Sequence, residues 1–257
     1  MTLGRILIYP IKSLDGVERT SARITAGGAL EGDRRFALFD EAGKVVNGKR
    51  TPRILQLRAN FSDDQAEVTF REEGQQTGRT FALGDTPELR SWLGEFFGMS
   101  VCLRRDDRLG FPDDTAAPGP TLTCEASLAT VGEWFGLPID ETRRRFRTNL
   151  ELSGTEPFAE DRLFSADGSQ IPFAIGPIHF LGHNPCQRCA VPGRNSQTGE
   201  PTPQFQKTFM RLRESHLPAW SARERFNHFY RFALNTSVSP DDTGKILTIG
   251  DPLDPAK

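Results

Sequence analysis

Hydrophobic and polar positions alternate over short distances through the first hundred residues. The runs ILIYP, RRFALFD, KVVN, RILQLRANF, AEVTF and RTFAL are short, rich in β-branched and aromatic residues, and predict strands. EAGK and EEGQQTG between them carry turn chemistry. The period then changes. Leu89, Trp92, Leu93, Phe96 and Phe97 recur at helical spacing, with Thr86 suited to the N-cap, Pro87 to the first helical position and Gly98 to the stop. VCLRR predicts a further strand. From residue 106 to residue 120, DDRLGFPDDTAAPGP loses all periodicity and concentrates Asp, Pro and Gly, which predicts a linker or long surface connection.

EASLATVGEWFG restores a helical face through Leu128, Val131 and Phe135 and stops at Gly136 and Pro138. FRTNLEL, QIPFAI, IHFLGH, FNHFYRFAL and KILTIGD predict strands, and QFQKTFMRLRESHL, between Pro203 and Pro218, a helix. The expected fold class is therefore mainly β with a few helices (α+β), barrel-like rather than doubly wound. The expected organisation is a β-rich domain over 1–105, a linker over 106–120 and a second β domain over 121–257. No strand runs into a glycine-rich turn and helix, which argues against nucleotide binding.

Composition narrows the class. Apolar residues make up 37% and charged residues 26%, so the chain is globular rather than disordered. A net charge of −2 offers no overall attraction to nucleic acid. Arg143, Arg144, Arg145 and Arg147 read as a solvated basic face. No apolar run is long enough to span a bilayer, and the N-terminal stretch is too short and interrupted for a signal peptide. Four cysteines, Cys102, Cys124, Cys186 and Cys189, are too few for a disulfide scaffold. A reducing cytoplasm, with no membrane and no nucleic-acid partner, is the expectation.

The candidate chemistry lies in HNPCQRCAVPGRNSQTGE, residues 183–200. Cys186 and Cys189 sit three apart between Pro185 and Pro192, and positive charge such as that of Arg188 favours a thiolate. Such a pair fills space, holds a metal, runs redox chemistry or carries sulfur. Structural zinc requires four ligands. His179 and His183 are near in sequence, but there is no second CxxC, and strand residues four apart converge poorly. A thioredoxin-like dithiol requires a helix after its first cysteine, which Pro192 and Gly193 would break early. One soft metal on one thiolate, its other ligands supplied by a cofactor, is also compatible with the pattern.

Residues in order along nearly the whole chain resemble the MOSC family, and most closely the bacterial relatives of the mitochondrial amidoxime-reducing component. YPIKSLDGV (9–17) is similar to the family's YPxKSxxG and GDRRFALFD to its DRxFxL. EASL, RFRTNLEL, PCQRCAVPGRNSQTGE and KILTIGDPL follow in family order. The resemblance implies two β-rich domains with a molybdenum–molybdopterin cofactor between them. It implies Cys189, the second cysteine of the motif, as catalytic metal ligand, and Cys186 as a non-ligand. For the phosphate-bearing pterin it implies Lys12, Ser13, Arg34, Arg147 and Asn149, with Gln187 and Arg188 before the ligand and Phe232 and Asn235 on a closing strand. The implied activity is reduction of N-hydroxylated or N-oxide small molecules by electrons from a separate ferredoxin-, flavin- or cytochrome-type protein. The alternative is a carrier of persulfide sulfur or of the cofactor.

The chain departs from that pattern in places. NGKR (47–50) stands where relatives have TARQ, in a loop expected to contact cofactor or substrate. Cys124 replaces a serine before EASL, and Asn195 an aspartate. The chain is expected to work without the C-terminal ferredoxin domain of some bacterial relatives and without the membrane anchor of the mitochondrial ones.

Overall fold

The structure, a computed structural model, describes residues 1–255. Strands β1 (Thr2–Ile8), β2 (Val17–Arg19), β3 (Ser21–Arg23) and β4 (Phe36–Asp40) come first, followed by β5 (Leu57–Phe61), β6 (Glu67–Glu72) and β7 (Arg79–Ala82). Helix α1 (Pro87–Phe97) and β8 (Val101–Arg105) complete the first half. Beyond the connector lie β9 (Leu122–Cys124), α2 (Glu125–Phe135), α3 (Ile139–Phe146), β10 (Leu150–Ser153), β11 (Ile171–Ile175) and β12 (Ile178–Gln187). Helix α4 (Phe205–Ser215) precedes β13 (Arg231–Val238), β14 (Ile246–Thr248) and β15 (Leu253–Pro255). The protein is mainly β with a few helices, as the patterning predicts.

The largest sheet has eight strands in the order β15-β11-β12-β13-β9-β10-β1-β2. Thr2 bridges Pro252, Leu3 N donates to Asp251 O (2.9 Å) and Gly250 N to Leu3 O (2.8 Å). These bonds bring the segment before β15 back to the start of β1, so the sheet closes on itself and loses most of its exposed edge. Its interior is filled by residues such as Leu3, Ile6, Leu122, Leu150, Phe180 and Leu234. β1 belongs to the first 105 residues and β10 to the second half, yet they pair, as do β3 and β14. The two halves thus share hydrogen-bonded sheet. The first half adds its own core, in which α1 packs with β4 to β8. A third core, dominated by aromatic residues, joins α2, α3 and α4 to β13.

Helix α1 ends where its capping residues require. Thr86 Oγ1 accepts from Leu89 N at 3.2 Å, Pro87 opens the helix and Gly98 stops it at φ 66°. Other boundaries differ from the patterning. KVVN forms no strand, and Val45 makes only an isolated bridge to Phe39. RILQ is a 3-10 turn over Pro52–Gln56, because Pro52 supplies a helical φ and no donor for a ladder. FNHFYRFAL becomes a strand only at Arg231, and β12 runs on past His183 to Gln187. The unforeseen helix is α3. Its inner face is Glu141, Thr142, Arg145 and Phe146, which no hydrophobic pattern would reveal.

Candidate functional site

A cleft of about 630 Å³ opens where the two halves and the connector meet. Eight cationic side chains line it, Lys12, Lys49 and six arginines, against Asp33, Asp113 and Asp114. That local positive excess stands in a chain of net charge −2. Low-dielectric walls of one sign focus the field, so the cleft selects an anion.

One wall is the end of β12. Gln187 pairs with Arg231 of β13, and Arg188 N donates to Tyr230 O at 3.1 Å, so the ladder holds the chain up to the cysteine turn. Cys189 follows immediately and is exposed; Cys186 is half-buried. Beneath them Arg188 donates from Nη1 to Cys186 Sγ at 3.3 Å and from Nη2 to Phe146 O, with its guanidinium 5.6 Å from the Phe146 ring centroid. Cys124 is buried, and burial pushes its thiol well above the usual range. Of the four cysteines, all within the described residues, Cys189 alone is exposed. The two histidines near the motif are tied elsewhere, His179 to Asp242 (3.1 Å) and His183 to Ser237 (2.8 Å). Among the described residues no group of three or more His, Cys, Asp or Glu side chains could hold a metal ion.

The opposite wall carries Lys12, Ser13, Arg34, Arg147 and Asn149. Ser13 (φ 73°), Arg34 (φ 47°) and Arg147 (φ 54°) are all left-handed without being glycine. Each such residue costs roughly 1–2 kcal/mol. Gln65, Phe158, Gln204 and Ala233 share that conformation outside the cleft, but three of the seven such residues among those described lie together here. Arg34 and Arg147 lie on the Tyr9 ring, at 5.0 and 4.2 Å from its centroid. Arg34 also binds Asp33 and donates to Asn149 Oδ1 at 3.0 Å. The Asn149 amide accepts from Thr121 too, and donates to Leu7 O, so it fixes Arg34 rather than offering a free donor. Lys12 Nζ reaches Phe111 O (2.9 Å), Pro112 O (3.0 Å) and Asp113 Oδ1 (2.6 Å), tying the connector to the floor. Burial raises the Asp113 carboxyl, but Lys12 and Arg34 outweigh it and hold the pKa below the ordinary value.

Tyr9 gives this wall a pH signature. It is 4% exposed, and burial raises its hydroxyl from 10.0 to about 12, even though Arg147 and Arg34 favour the anion. The raised value means that the unfolded chain ionises first. The Tyr9 contribution is therefore intact below pH 10 and lost as pH rises from about 10 to about 12, a loss of about 2–3 kcal/mol. Urea midpoints measured at pH 9 and pH 12 should fall less in Tyr9→Phe than in the wild type.

The structure brings together most of the residues picked out in the sequence. Gln187, Arg188 and Cys189 face Lys12, Ser13, Arg34, Arg147 and Asn149 across the cleft, and the 47–50 loop contributes Asn47 and Lys49. Asn235 reaches the cleft, donating to Asp114 (3.2 Å) and Asn184 (3.3 Å). Phe232 does not. Strand alternation turns it away from Arg231 into the aromatic core, where it is 1% exposed and packs 4.5 Å from Phe146. The arginine run is also not a solvated face, since Arg145 is buried against Glu141 at 2.7 Å and Arg143 pairs with Glu151 at 2.9 Å. Sequence reasoning missed Tyr9, Asp113, Asp114 and Arg231. Tyr9 sits in the YPIKS motif; the aspartates lie in a connector whose composition looks like spacer.

Comparison with known proteins is consistent along the chain. A MOSC N-terminal beta barrel domain matches residues 1–95, and a MOSC domain matches residues 120–245. Curated relatives include molybdenum cofactor sulfurases. That of Drosophila grimshawi is 25% identical over 98% of this chain and 34% of its own length. That of Caenorhabditis elegans is 24% identical over 79% of this chain and 30% of its own length. This chain spans about a third of the length of these relatives. With both domains present in order and together covering most of its length, the chain belongs to the two-domain MOSC family.

Proposed function

We propose that the cleft binds a molybdenum–molybdopterin cofactor and that the protein uses it to reduce N-hydroxylated or N-oxide compounds, taking electrons from a separate donor protein. The observation that carries this reading is an exposed thiol, Cys189, opening on a cleft with a large cationic excess. The donor set fits such a group. One soft sulfur is available, and a metal there would bring its remaining ligands with the cofactor. When bound, the cofactor supplies the two-electron chemistry by which an N–O bond is reduced, with release of water.

The protein's part is binding and orientation. Cys189 is the metal ligand, and Arg188, anchored on Phe146 O, holds the turn that presents it. Ser13, Arg34 and Arg147 would meet the phosphate, for which arginine offers forked donors, and Lys12, whose three donors go to Phe111 O, Pro112 O and Asp113, would add positive charge to the floor. Asn149 keeps Arg34 in place.

The names of the curated relatives favour a second reading, in which the same exposed cysteine carries sulfur as a persulfide or passes the cofactor on. One experiment separates the two. Protein made in a molybdenum-competent host is analysed for metal and for cyanide-releasable sulfur, then assayed with a hydroxylamine-type substrate and an artificial electron donor. Stoichiometric molybdenum with donor-dependent turnover is the expected result. Labile sulfur without molybdenum would instead favour the carrier, and absence of both would sink either reading.

A further inference from the structure

Behind the cleft lies a second cavity, of about 370 Å³. The two share Ser13, Leu55, Arg145, Arg147 and Val191 as a common wall. Seven arginines line the rear cavity against two carboxylates, Asp15 and Glu73. Both carboxylates are held by Arg58, at 3.3 and 3.2 Å. Arg143 is neutralised by Glu151, and Arg144 and Arg145 both pair with Glu141. Three charges remain uncompensated by any carboxylate among the described residues. Arg71 donates only to Gln75 O (2.8 Å), Arg194 only to Gly199 O (2.8 Å), and Arg147 to Leu14 O beneath the Tyr9 ring. These three arise from β6, from the segment after the cysteine turn and from the end of α3, so the fold gathers them from distant sequence. Leaving them together without an anion is electrostatically unfavourable. Guanidinium groups whose remaining N–H donors point into a cavity match the oxygens of a phosphate.

We propose that this rear cavity is a second anion site that takes a phosphate group, with Arg71 and Arg194 as its dedicated cations and Arg147 shared with the cleft. The phosphate is that of a free phosphate ester, since Lys12 and Arg34, assigned to the tail of a cofactor in the cleft, do not line the rear cavity. The site does not depend on the redox reading, because it is assayed on cofactor-free protein.

The probes are inorganic phosphate and a nucleoside monophosphate, titrated calorimetrically into cofactor-free protein. Binding is expected for both, weakening as ionic strength rises. The double variant Arg71→Gln/Arg194→Gln should weaken binding in the rear cavity about tenfold or more, since charge-assisted hydrogen bonds are lost, while Lys12→Gln, which lines only the cleft, should leave the component that depends on Arg71 and Arg194. Both substituted arginines are partly exposed and bond only to carbonyls, so the variant should keep its melting temperature. Protein loaded with cofactor should still take phosphate at Arg71 and Arg194; loss of binding there would give the site to the cofactor tail and overturn the assignment to a free ester. Absence of binding to cofactor-free protein, or affinity unchanged in the double variant, overturns the proposal.

Discussion

Cys189→Ala should yield a folded protein that retains no molybdenum and has lost reductase activity by more than about 100-fold. Residues that merely support a metal ligand are worth about 10–100-fold in affinity or activity, and the ligand itself should exceed them. The fold should not suffer, because the thiol is exposed and outside the three cores. No neighbouring donor stands ready to replace it. His179 and His183 have other partners, and Cys186 is half-buried with its sulfur accepting from Arg188. Cys186→Ala should accordingly keep its metal and most of its turnover. Metal analysis per chain and donor-dependent rates on the two variants and the wild type check this. Equal molybdenum in Cys189→Ala and the wild type would falsify the ligand assignment.

Asp161→Ala is the change expected to cost most stability, about 3–5 kcal/mol. Asp161 lies in the turn Ala159–Leu163 and accepts from Arg213 of α4 and from Ser221. The Arg213 side chain is 1% exposed. Its guanidinium lies 4.0 Å from the Phe158 ring centroid and 5.0 Å from that of Phe226, and its Nε and Nη1 have no hydrogen-bond partner. The rings offset part of the charge's desolvation, and Asp161 is its one ion-pair partner among the described residues. Removing the carboxylate leaves a buried, uncompensated cation. In a domain of this size the melting temperature should drop by on the order of 10 °C. Replacing both partners by apolar residues, as in Asp161→Leu/Arg213→Met, should recover much of the loss, because neither charge is then buried. A double variant no more stable than Asp161→Ala would show that packing, not charge, sets the effect.

These two expectations differ in how far each could be read from the sequence. Cys189 was legible through the family resemblance: prolines on both sides, a second cysteine three residues away and an adjacent arginine mark the turn but leave its role open. Arg213 was not legible. In QFQKTFMRLRESHL it reads as one more polar position of an amphipathic helix. Its burial arises because Phe158 and Phe226, distant in sequence, close over it. Helix α3 failed for the same reason, its inner face being built from an ion pair that only Glu141 and Arg145 together reveal.

The cleft divides along similar lines. Lys12, Ser13, Arg34, Arg147 and Asn149 belong to short motifs that the family resemblance singles out. Their roles were not distinguishable there. Asn149 turned out to hold Arg34, and Lys12 to hold the connector as well as line the floor. Phe232 was misassigned because an aromatic on a strand can face either side, and register depends on the partner strand.

Period-2 and period-3.6 patterning, capping residues and turn composition are local properties of the chain, and they sufficed for a β-rich protein with α1, α2 and α4 in place. Ring closure through Thr2 and Pro252, the pairing of β1 with β10 and the use of the connector as a cleft wall all join residues far apart in the chain. So does the positive field, which no sum over composition could anticipate in a chain of net charge −2. It exists because folding points eight cations from both halves into one space with only three carboxylates among them.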